Sequence, residues 1–354
     1  MNRKDKLLAV LDPQADAMLV THKKNQYYLS GFDFDDGYVL VTREASYLIT
    51  DFRYIEAAKE ETNPEFTVVM MDNDPKALFA ELLYKHHVKT VAFEESHVSV
   101  AELAGLENLL EGARLIPSDG VIERLRICKD QDEIDRMITA QRIAEAAFEH
   151  ILGYITPDRT ELDVALELEF FMRSHGAKAT SFDTIAVSGS ASSRPHGVPR
   201  PVKLEQGFLT MDFGALYKGY CSDMTRTVAV GTCTDEMRKV YNTVLEAQLA
   251  ALDAYAVGKT GEELDAVARK IIYNAGYEGC FGHGLGHGVG MDIHEAPRVK
   301  ENHTTPMAVG HVVTCEPGIY LEGKFGVRIE DMVVFTENGA VNLTKATKEL
   351  IVLD

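Results

Sequence analysis

The most informative part of the sequence is Leu209-Thr-Met-Asp212-Phe213, followed after a short loop by Cys221-Ser-Asp223-Met-Thr-Arg-Thr-Val228. The first segment alternates apolar and polar residues, the second does so more loosely, and each pattern is typical of a half-buried strand. A two-residue turn at Tyr217-Lys218 would make Asp212 the cross-strand partner of Asp223. Any loop of even length keeps both carboxylates on one face of the sheet. Like charges in this position destabilise a hairpin, so the pattern indicates a divalent cation between them.

Two glutamates and one histidine extend this pair of aspartates. The segment Val312–Glu316 is predicted as a strand that ends at a Pro-Gly pair, and Gly326–Phe335, with Glu330 inside it, as a second strand. Glutamate is rarely buried unless it is paired or bound to a metal, so a glutamate in each apolar run is a candidate ligand. His287 lies in Gly282–Gly290, where glycine occupies every second position and leaves the backbone open to close approach.

The candidate ligands together have the composition of a two-metal site. Four carboxylates and one imidazole form a hard, oxygen-rich set, which suits two ions of the Mn, Co, Fe or Zn type that share carboxylate bridges. A single aspartate in a strand is more often a turn or capping residue, but two aspartates, two glutamates and a histidine together in this strand context favour metal binding. The set consists of Asp212, Asp223, His287, Glu316 and Glu330.

Composition and charge restrict the classes of protein to which the chain can belong. Its 354 residues leave room for two domains, each with its own core. No run of about 18 apolar residues occurs, and the first residues lack the apolar core of a signal peptide, so no membrane span is expected. Five cysteines without Cys-x-x-Cys spacing are expected to be free thiols. The net charge of -19 argues against nucleic acid and anionic membranes as partners. Together with the free thiols, which suit a reducing compartment, the composition agrees with a cytoplasmic enzyme.

The order of predicted elements divides the chain near residue 125. Residues 1–125 mix short strands with helices, which predicts an α/β domain. Residues 126–354 are predicted as a second domain, whose first helix opens with the capping box Asp130-Gln-Asp-Glu133. Two helices precede the strands with the aspartates, and two more precede the strands with the histidine and glutamates. This recurrence, with Glu161-Leu-Asp and Glu263-Leu-Asp on each second helix, indicates an internal duplication.

Short motifs surround the candidate ligands. They are Asp212-Phe-Gly-Ala, Gly219-Tyr-Cys-Ser-Asp223-Met-Thr-Arg-Thr, Gly286-His287-Gly-Val-Gly, Ile293-His294-Glu-Ala-Pro297, Glu316-Pro-Gly-Ile-Tyr and Val327-Arg-Ile-Glu330-Asp. These motifs resemble the ligand motifs of the pita-bread metallopeptidases, a family that includes methionine aminopeptidase, prolidase, aminopeptidase P and the metal-free creatinase. Residues 25–32 and 50–54 are similar to the amino-terminal domain of the prolidase and aminopeptidase P branch. The resemblance implies an α/β amino-terminal domain followed by an α+β pita-bread catalytic domain built from two related halves.

The same resemblance implies a role for each candidate ligand. Asp223 and Glu330 are expected to bridge two divalent ions, with manganese foremost and cobalt, zinc or iron as alternatives. Asp212 would complete one ion site, and His287 with Glu316 would complete the other. Two ions about 3.5–4 Å apart lower the pKa of a bridging water, and the resulting hydroxide attacks the amide carbonyl. Glu316 is expected to carry the proton from this nucleophile to the leaving amine.

Four further residues are expected to handle the substrate. By resemblance, His294 stabilises the tetrahedral intermediate, which requires a donor near the developing oxyanion. His196 is similar to the substrate-contacting histidine of the family. Arg298 is similar to the arginine that binds the substrate carboxylate in prolidases. Arg328 would either clamp that carboxylate with a bidentate fork or organise the carboxylate cluster, and the sequence leaves both alternatives open.

The resemblance favours a dinuclear-metal dipeptidase that cleaves the Xaa-Pro amide bond. An aminopeptidase P acting on longer Xaa-Pro peptides is the first alternative, and a metal-free creatinase-like or binding protein is the second. A homodimer is expected, because the segment Asp51-Phe-Arg53-Tyr54 resembles a region that lies near the neighbouring subunit's active site in relatives. The expected partners are therefore a small peptide substrate and a second copy of the chain.

Overall fold

Short apolar segments rich in β-branched residues form the strands of a mixed sheet in the first part of the chain. The structure, a computed structural model, describes residues 2–354 and separates into two units, one ending at Arg126 and the other comprising Ile127–Asp354. The strands of the first unit are β1 Ala17–Val20, β2 Gly37–Thr42, β3 Ser46–Thr50, β4 Thr67–Met70, β5 Thr90–Phe93 and β6 Arg114–Pro117. Its helices are α1 Arg3–Val10, α2 Lys23–Ser30, α3 Ile55–Glu61, α4 Pro75–Lys85, α5 Val100–Leu109 and α6 Val121–Ile127.

The sheet of the first unit has the order β4-β3-β2-β1-β5-β6. Strand β1 is antiparallel to β2 and parallel to β5, and β6 is parallel to β5. Every residue of β1 is buried, as expected for a central strand that is covered on both faces. Phe79 and Leu82 of α4 pack in one cluster with Leu19, Leu40 and Val91 of the sheet, which gives this unit its own core.

The second unit begins with a long helix and contains two helix pairs. The helices are α7 Gln131–Tyr154, α8 Glu161–Ser174, α9 Asp235–Ala254 and α10 Gly261–Asn274, and a 3-10 turn spans Gly189–Ser193. The predicted capping box at Asp130 and Glu133 is confirmed, and further boxes at Thr160 and Asp163 and at Thr260 and Glu263 open α8 and α10. None of the helices within residues 2–354 combines the length and apolar character needed to cross a membrane.

The strands of the second unit form several sheets. They are β7 Ala179–Thr180, β8 Ile185–Ser188, β9 Gly207–Phe213, β10 Ala215–Tyr217, β11 Tyr220–Cys221, β12 Met224–Val230, β13 Gly286–Gly288, β14 Glu295–Val299, β15 Val312–Cys315, β16 Gly318–Leu321, β17 Phe325–Arg328, β18 Asp331–Thr336, β19 Gly339–Asn342 and β20 Val352–Leu353. The larger sheets have the orders β20-β12-β9-β8 and β14-β13-β15-β18-β19, and the smaller ones are β11-β10-β7 and β16-β17.

Each larger sheet packs against one helix pair. Phe148 of α7 lies in the same buried cluster as Leu209 of β9, so the first pair covers the first sheet. Val244 of α9 shares a second cluster with Val333 of β18, so the second pair covers the second sheet. The predicted arrangement of two related halves is therefore confirmed.

The turn of the aspartate hairpin differs from the prediction. Tyr217 pairs with Tyr220, so the turn residues are Lys218 and Gly219, and the predicted turn at Tyr217-Lys218 is wrong. Both turn residues have positive φ, 45° for Lys218 and 81° for Gly219. A two-residue turn of this kind matches the twist of antiparallel strands, and glycine adopts positive φ without steric cost. The position of Gly219 therefore determines where the hairpin turns.

Because the observed turn lies one residue later than the predicted one, the strand pairing of Asp212 is shifted by two residues. Asp212 pairs with Thr225 across β9 and β12, and the predicted pairing of Asp212 with Asp223 is wrong. A shift of two residues preserves the face to which each side chain points, because strand side chains alternate with a period of two. Both carboxylates accordingly line the same cavity, as the argument from an even loop predicts.

Two segments predicted as continuous strands are interrupted at acidic residues. The segment Cys221–Val228 is divided between β11 and β12, and Asp223 lies in the gap. The segment Gly326–Phe335 is divided between β17 and β18, which belong to different sheets, and Glu330 lies where the chain passes between them. The backbone N–H of Glu330 donates to the carbonyl of Thr225 at 3.1 Å, so the two gaps lie side by side.

Candidate metal centre

One cavity of the second unit, with a volume of about 640 Å³, collects every site residue predicted from the sequence. The residues come from β9, the gap before β12, β13, β14, the ends of β15 and β17, the gap between β17 and β18, and two loops. They are His196, Asp212, Asp223, His287, His294, Arg298, Glu316, Arg328 and Glu330.

Three of the candidate ligands form the deepest part of the cluster. Asp223, His287 and Glu330 are buried, and one oxygen or nitrogen from each lies within 4.8 Å of the others. His287 Nε2 is 3.6 Å from Asp223 Oδ2 and 3.3 Å from Glu316 Oε1. Carboxylate oxygens and an imidazole nitrogen at this spacing are a suitable donor set for a divalent transition-metal ion.

The tautomer of His287 follows from its backbone contact. Its Nδ1 lies 3.1 Å from the carbonyl oxygen of Gly288, and because a carbonyl only accepts, Nδ1 carries the proton. Burial, followed by the charge of His294, lowers the pKa of His287 to about 3. The ring is therefore neutral, and its Nε2 lone pair faces the carboxylates, as metal ligation requires.

The carboxylates raise one another's pKa. Burial raises the pKa of Asp223 well above its ordinary value, and the charges of Asp212 and Glu316 raise it further. Burial and the charge of Asp223 have the same effect on the pKa of Glu330. Burial also raises the pKa of Glu316 to about 8, although the charge of Arg328 opposes the shift. A divalent cation among these groups would stabilise their ionised forms, so the electrostatics of the cluster fit a metal site.

Asp212 adds a specific observation in favour of a cation. Its Oδ2 accepts a hydrogen bond from Arg328 at 2.6 Å. Its Oδ1 is buried and has no hydrogen-bond partner within residues 2–354. A buried carboxylate oxygen without a donor is costly, and a bound cation would satisfy it. The residues present therefore fit the divalent ions that the ligand motifs imply.

Two threonines that the sequence analysis did not single out position the glutamates. Thr225 Oγ1 donates to Glu330 Oε2 at 2.7 Å and accepts from Arg328 Nε at 2.9 Å. Thr314 Oγ1 donates to Glu316 Oε1 at 3.1 Å and accepts from the backbone N–H of His287. Each threonine lies two residues from an acidic candidate ligand, and this spacing is the sequence signal that identifies them.

The guanidinium N–H groups of Arg328 form hydrogen bonds with other groups of the protein. Its side chain is almost fully buried and donates to Asp212, Thr225, the carbonyl of Pro195 and, at 2.8 Å, the hydroxyl of Tyr320. Its surroundings are therefore those of a residue that holds the carboxylate cluster in place.

The hydroxyl of Tyr320 connects Arg328 by hydrogen bonds to a second histidine, His283. His283 Nδ1 lies 2.8 Å from the carbonyl of Gly284 and must be the donor, so His283 Nε2 accepts from the Tyr320 hydroxyl at 2.9 Å. Burial is the main cause that lowers the pKa of His283 to about 4 and raises that of Tyr320 to about 12. Both groups are neutral, and the hydrogen bonds run in one direction from Arg328 to Gly284.

His294 and Arg298 line the same cavity, but their surroundings differ from those of the buried candidate ligands. The rings of His287 and His294 meet edge to face, with centroids 4.3 Å apart. Burial, followed by the charges of Arg298 and His196, lowers the pKa of His294, so its imidazole is neutral. Arg298 is the cross-strand partner of His287, and its guanidinium has no hydrogen bond or ion pair within the described part of the chain. Arg298 is thus available to bind an anion.

The alternate glycines around His287 allow close packing of the backbone. A Cβ on Gly286 would lie 2.1 Å from the carbonyl oxygen of Thr314, and one on Gly288 would lie 2.3 Å from that of Ala296. Neither position tolerates a side chain, as the glycine pattern predicts. The strand that carries His287 therefore fits tightly between β14 and β15.

This fold and cavity match known families over most of the chain. The model of metallopeptidase family M24 matches residues 135–337, and that of the creatinase/prolidase N-terminal domain matches residues 3–128. The chain therefore belongs to metallopeptidase family M24, and it is a metallopeptidase. The family implies divalent metal ions, and the predicted combination of an α/β amino-terminal domain with a pita-bread domain is confirmed.

Curated relatives and solved structures resemble the chain over nearly its full length. The Xaa-Pro dipeptidase of Pyrococcus horikoshii is 39% identical over 358 residues, which cover 99% of each sequence. The solved Xaa-Pro dipeptidase from Bacillus anthracis is 41% identical, with a TM-score of 0.94 and 99% of both chains covered. The X-Pro aminopeptidase from Thermotoga maritima MSB8 is 37% identical, with a TM-score of 0.94 over 99% of this chain and 100% of that one.

Proposed function

We propose that this metallopeptidase hydrolyses the Xaa-Pro amide bond of dipeptides with two divalent metal ions. Manganese is the first candidate, and cobalt, zinc and iron are the alternatives. The observation that carries the proposal is the convergence of four carboxylates and one imidazole on a single cavity, which is also lined by an arginine, Arg298, that has no partner among residues 2–354. The Xaa-Pro dipeptidases of P. horikoshii and B. anthracis, similar over the whole chain, support the substrate class.

The proposed ligand roles follow the depth and spacing of the side chains. Asp223 and Glu330 are the most buried carboxylates of the set and would bridge both ions. Asp212, whose buried Oδ1 has no hydrogen-bond partner in the described part of the chain, would complete one ion site. His287 and Glu316, whose ligand atoms are 3.3 Å apart, would complete the other. The bound ions would supply Lewis acidity and lower the pKa of water, so that hydroxide is available as the nucleophile at neutral pH.

The remaining chemistry belongs to side chains of this chain. Glu316, whose pKa is raised to about 8, is suited to take a proton from the attacking water and give it to the leaving prolyl nitrogen. His294 and His196 line the cavity beside the ligands. In this proposal, neutral His294 donates a hydrogen bond to the developing oxyanion, and His196 orients the substrate. Arg328 holds Asp212 in its ligand orientation.

Arg298 would select the end of the substrate. A dipeptide carries its carboxylate directly on the proline, and a guanidinium binds a carboxylate with two parallel hydrogen bonds. A tertiary Xaa-Pro amide also lacks the N–H that ordinary peptidases bind, and none of the roles proposed here requires that N–H. The site is thus compatible with an Xaa-Pro bond followed at once by a free carboxylate.

A second candidate is an aminopeptidase that removes the first residue from longer Xaa-Pro peptides. The observation in its favour is the equal structural similarity to the Thermotoga maritima X-Pro aminopeptidase. Both activities would use the same ligand set. They differ in whether the cavity accepts residues beyond the proline.

The decisive experiment is a chain-length series. The protein is stripped of metal with a chelator and assayed on Xaa-Pro and Xaa-Pro-Yaa peptides, alone and after addition of Mn²⁺, Co²⁺ or Zn²⁺. We expect chelation to abolish hydrolysis, one of these ions to restore it, and dipeptides to be cleaved faster. Full activity in protein shown to be metal-free by elemental analysis would disprove metal dependence, and faster cleavage of the longer peptides would assign the aminopeptidase activity.

Two variants test whether the metal dependence arises from the proposed ligands. Asp223→Asn removes a proposed bridge and is expected to lose bound metal together with activity. Asp183→Asn changes another acidic residue that lines the same cavity and is expected to retain metal. Equal metal content in the two variants would contradict the bridging role of Asp223.

A further inference from the structure

A second group of metal-ligating side chains lies in the first unit, on elements that contribute nothing to the cavity described above. His22 follows β1, His97 follows β5, and Glu123 belongs to α6. Strands β1 and β5 are parallel neighbours, so their carboxyl ends meet at one edge of the sheet. The chain continues from β1 to β2 on one side and from β5 to β6 on the other. Where the chain leaves two neighbouring parallel strands in opposite directions, a crevice forms at their carboxyl ends. In α/β sheets this crevice is the usual place for a ligand.

The three side chains are close enough to bind one ion. The rings of His22 and His97 are stacked, with centroids 3.8 Å apart and planes within 2° of parallel. His97 Nε2 lies 2.8 Å from Glu123 Oε1. One ligand atom from each of the three residues lies within 4.8 Å of the others. The side chains of His97 and Glu123 retain 30% and 35% of their exposure, so an ion can reach them from solvent.

A buried network holds the group in place from behind. The Asn25 side-chain amide donates to Glu123 Oε1 at 2.5 Å and to Glu94 Oε1 at 2.7 Å. Arg126 donates to Asn25 Oδ1 at 2.8 Å and thereby fixes the orientation of that amide. Asn25 is completely buried. Hydrogen bonds of this kind, which orient a ligand carboxylate from the protein side, are typical of metal sites.

The second carboxylate of this network also positions the first histidine. Glu94 is buried, and its Oε2 accepts from the backbone N–H groups of Thr21 at 2.6 Å and His22 at 2.8 Å. Two carboxylates, Glu94 and Glu123, therefore lie on either side of a single amide group. Their negative charges favour a cation at the exposed edge where the two imidazoles lie.

We propose that His22, His97 and Glu123 form a binding site for a divalent transition-metal ion of the zinc type, separate from the peptidase centre. Two imidazoles and one carboxylate are ligands that zinc uses, and the fourth position would be taken by water. Bonds of about 2.0–2.1 Å around a tetrahedral ion bring ligand atoms to about 3.3 Å from one another, so the side chains need only a small closing movement.

The ion would act on the first unit. It would join the loop after β1, the loop after β5 and helix α6, which are separated by long stretches of chain. A ligand that binds the folded state and not the unfolded state stabilises the fold in proportion to its concentration. The site is accordingly a stabilising one, and its occupancy does not depend on the proposed peptidase activity.

The test counts ions in the full-length protein. Chelated wild type is titrated with Zn²⁺ by calorimetry, and metal content is measured by elemental analysis in parallel with His97→Gln and with the double variant His97→Gln/Glu123→Gln. We expect each variant to bind one ion fewer per chain than wild type. Their peptidase activity with Mn²⁺ is expected to stay within about twofold of wild type. An unchanged zinc stoichiometry in both variants would overturn the proposal.

His150→Gln is the matched control for this titration. His150 pairs with Glu167 at 2.6 Å on the surface of the second unit, but no second histidine joins that pair in the described chain. We expect His150→Gln to keep the zinc stoichiometry of wild type. Loss of an ion in this control as well would show that any histidine-carboxylate pair binds zinc weakly, and it would overturn the assignment of a specific site.

A crystallographic measurement keeps the proposal testable if a variant fails to fold. Crystals of the zinc-loaded wild type are measured at the zinc absorption edge. An anomalous peak within about 2.3 Å of ligand atoms of His22, His97 and Glu123 is the expected result. Peaks confined to the cavity of the second unit would overturn it. Because this readout locates each ion, failure of the new site is distinguishable from failure of the proposed peptidase centre.

Discussion

Two arginines of the same cavity show how burial and partners give one residue type different roles. Arg328 is buried and donates to Asp212, Thr225 and Tyr320, so removing it would leave a carboxylate and a hydroxyl without their donor. Arg298 has no internal partner within residues 2–354 and lines the same cavity. The sequence leaves both arginines as candidates for binding the substrate carboxylate, and these surroundings favour Arg298.

Variants of His294 and His287 test whether the first stabilises the oxyanion and the second binds metal. His294→Ala should lower kcat by roughly two to three orders of magnitude, the size of effect expected when an oxyanion donor is lost, with metal content close to wild type. His287→Ala should lose metal, because its Nε2 faces the carboxylates. Metal content by elemental analysis and kcat by steady-state assay distinguish the two. If His294→Ala empties the site and His287→Ala does not, the two roles are reversed.

At the scale of elements, the candidate bridges lie in gaps between strands. Asp223 lies between β11 and β12, and Glu330 lies between β17 and β18. Arg226, itself buried, spans both gaps, because one of its nitrogens donates to the carbonyls of Thr225 and Glu330 at 2.9 and 2.6 Å. Its other terminal nitrogen pairs with buried Asp331 at 2.8 Å. The ion pair with Asp331 thus holds Arg226 where it can connect the backbone beside the two gaps.

Removing Arg226 should therefore damage both stability and the metal centre. Although burial raises the pKa of Asp331, the charges of Arg226 and Lys348 hold that pKa below its ordinary value, so the carboxylate is ionised. Arg226→Met would leave this charge with fewer partners, and breaking a buried pair in this way costs about 3–5 kcal/mol. Chemical denaturation should show a loss of that size, and metal affinity should fall because Glu330 loses its backbone support.

An exposed ion pair supplies the control for that variant. Lys324 pairs with Glu236 at 2.9 Å, and both side chains are more than half exposed. Lys324→Met should change the free energy of unfolding by less than about 1 kcal/mol, because solvent screens such pairs. A comparable loss in both variants, or a normal metal affinity in Arg226→Met, would contradict the role given to Arg226.

At the scale of the whole molecule, the first unit contributes no residue to the cavity among residues 2–126. A unit of this size with its own core needs another role. The resemblance of Asp51-Phe-Arg53-Tyr54 to a region near a neighbouring subunit's site suggests one, and a homodimer stays a prediction. An arm from a second subunit would narrow the cavity beyond the proline and favour dipeptides.

The corresponding prediction joins oligomeric state to substrate length. Sedimentation should give a dimer, and Xaa-Pro should be cleaved faster than Xaa-Pro-Yaa by on the order of a hundredfold in kcat/KM, because the longer peptide moves its carboxylate away from Arg298. Arg298→Ala should remove most of this preference, and Arg298→Lys should retain part of it. A monomer, or an unchanged preference in Arg298→Ala, would count against this explanation and favour an aminopeptidase.

Local features of this protein could be predicted from its amino-acid sequence. Helix starts at Asp130 and Thr260 were predictable because a capping box depends on residues three positions apart. The strands around Asp212 followed from their alternation, and the glycines around His287 indicated a backbone packed too closely for side chains. The residue types of the ligand set were readable for a similar reason: carboxylates in apolar strands need a compensating charge.

Which of these groups come into contact could be seen only in the folded chain. The hairpin register depended on a turn that requires positive φ at two residues, and the strand gaps at Asp223 and Glu330 arise where the chain passes from one sheet to another. The donors around Arg328 and the contact of His22 with His97 join residues that are far apart in the chain. Local patterns carry no information about such pairs, because packing and sheet pairing depend on the whole chain.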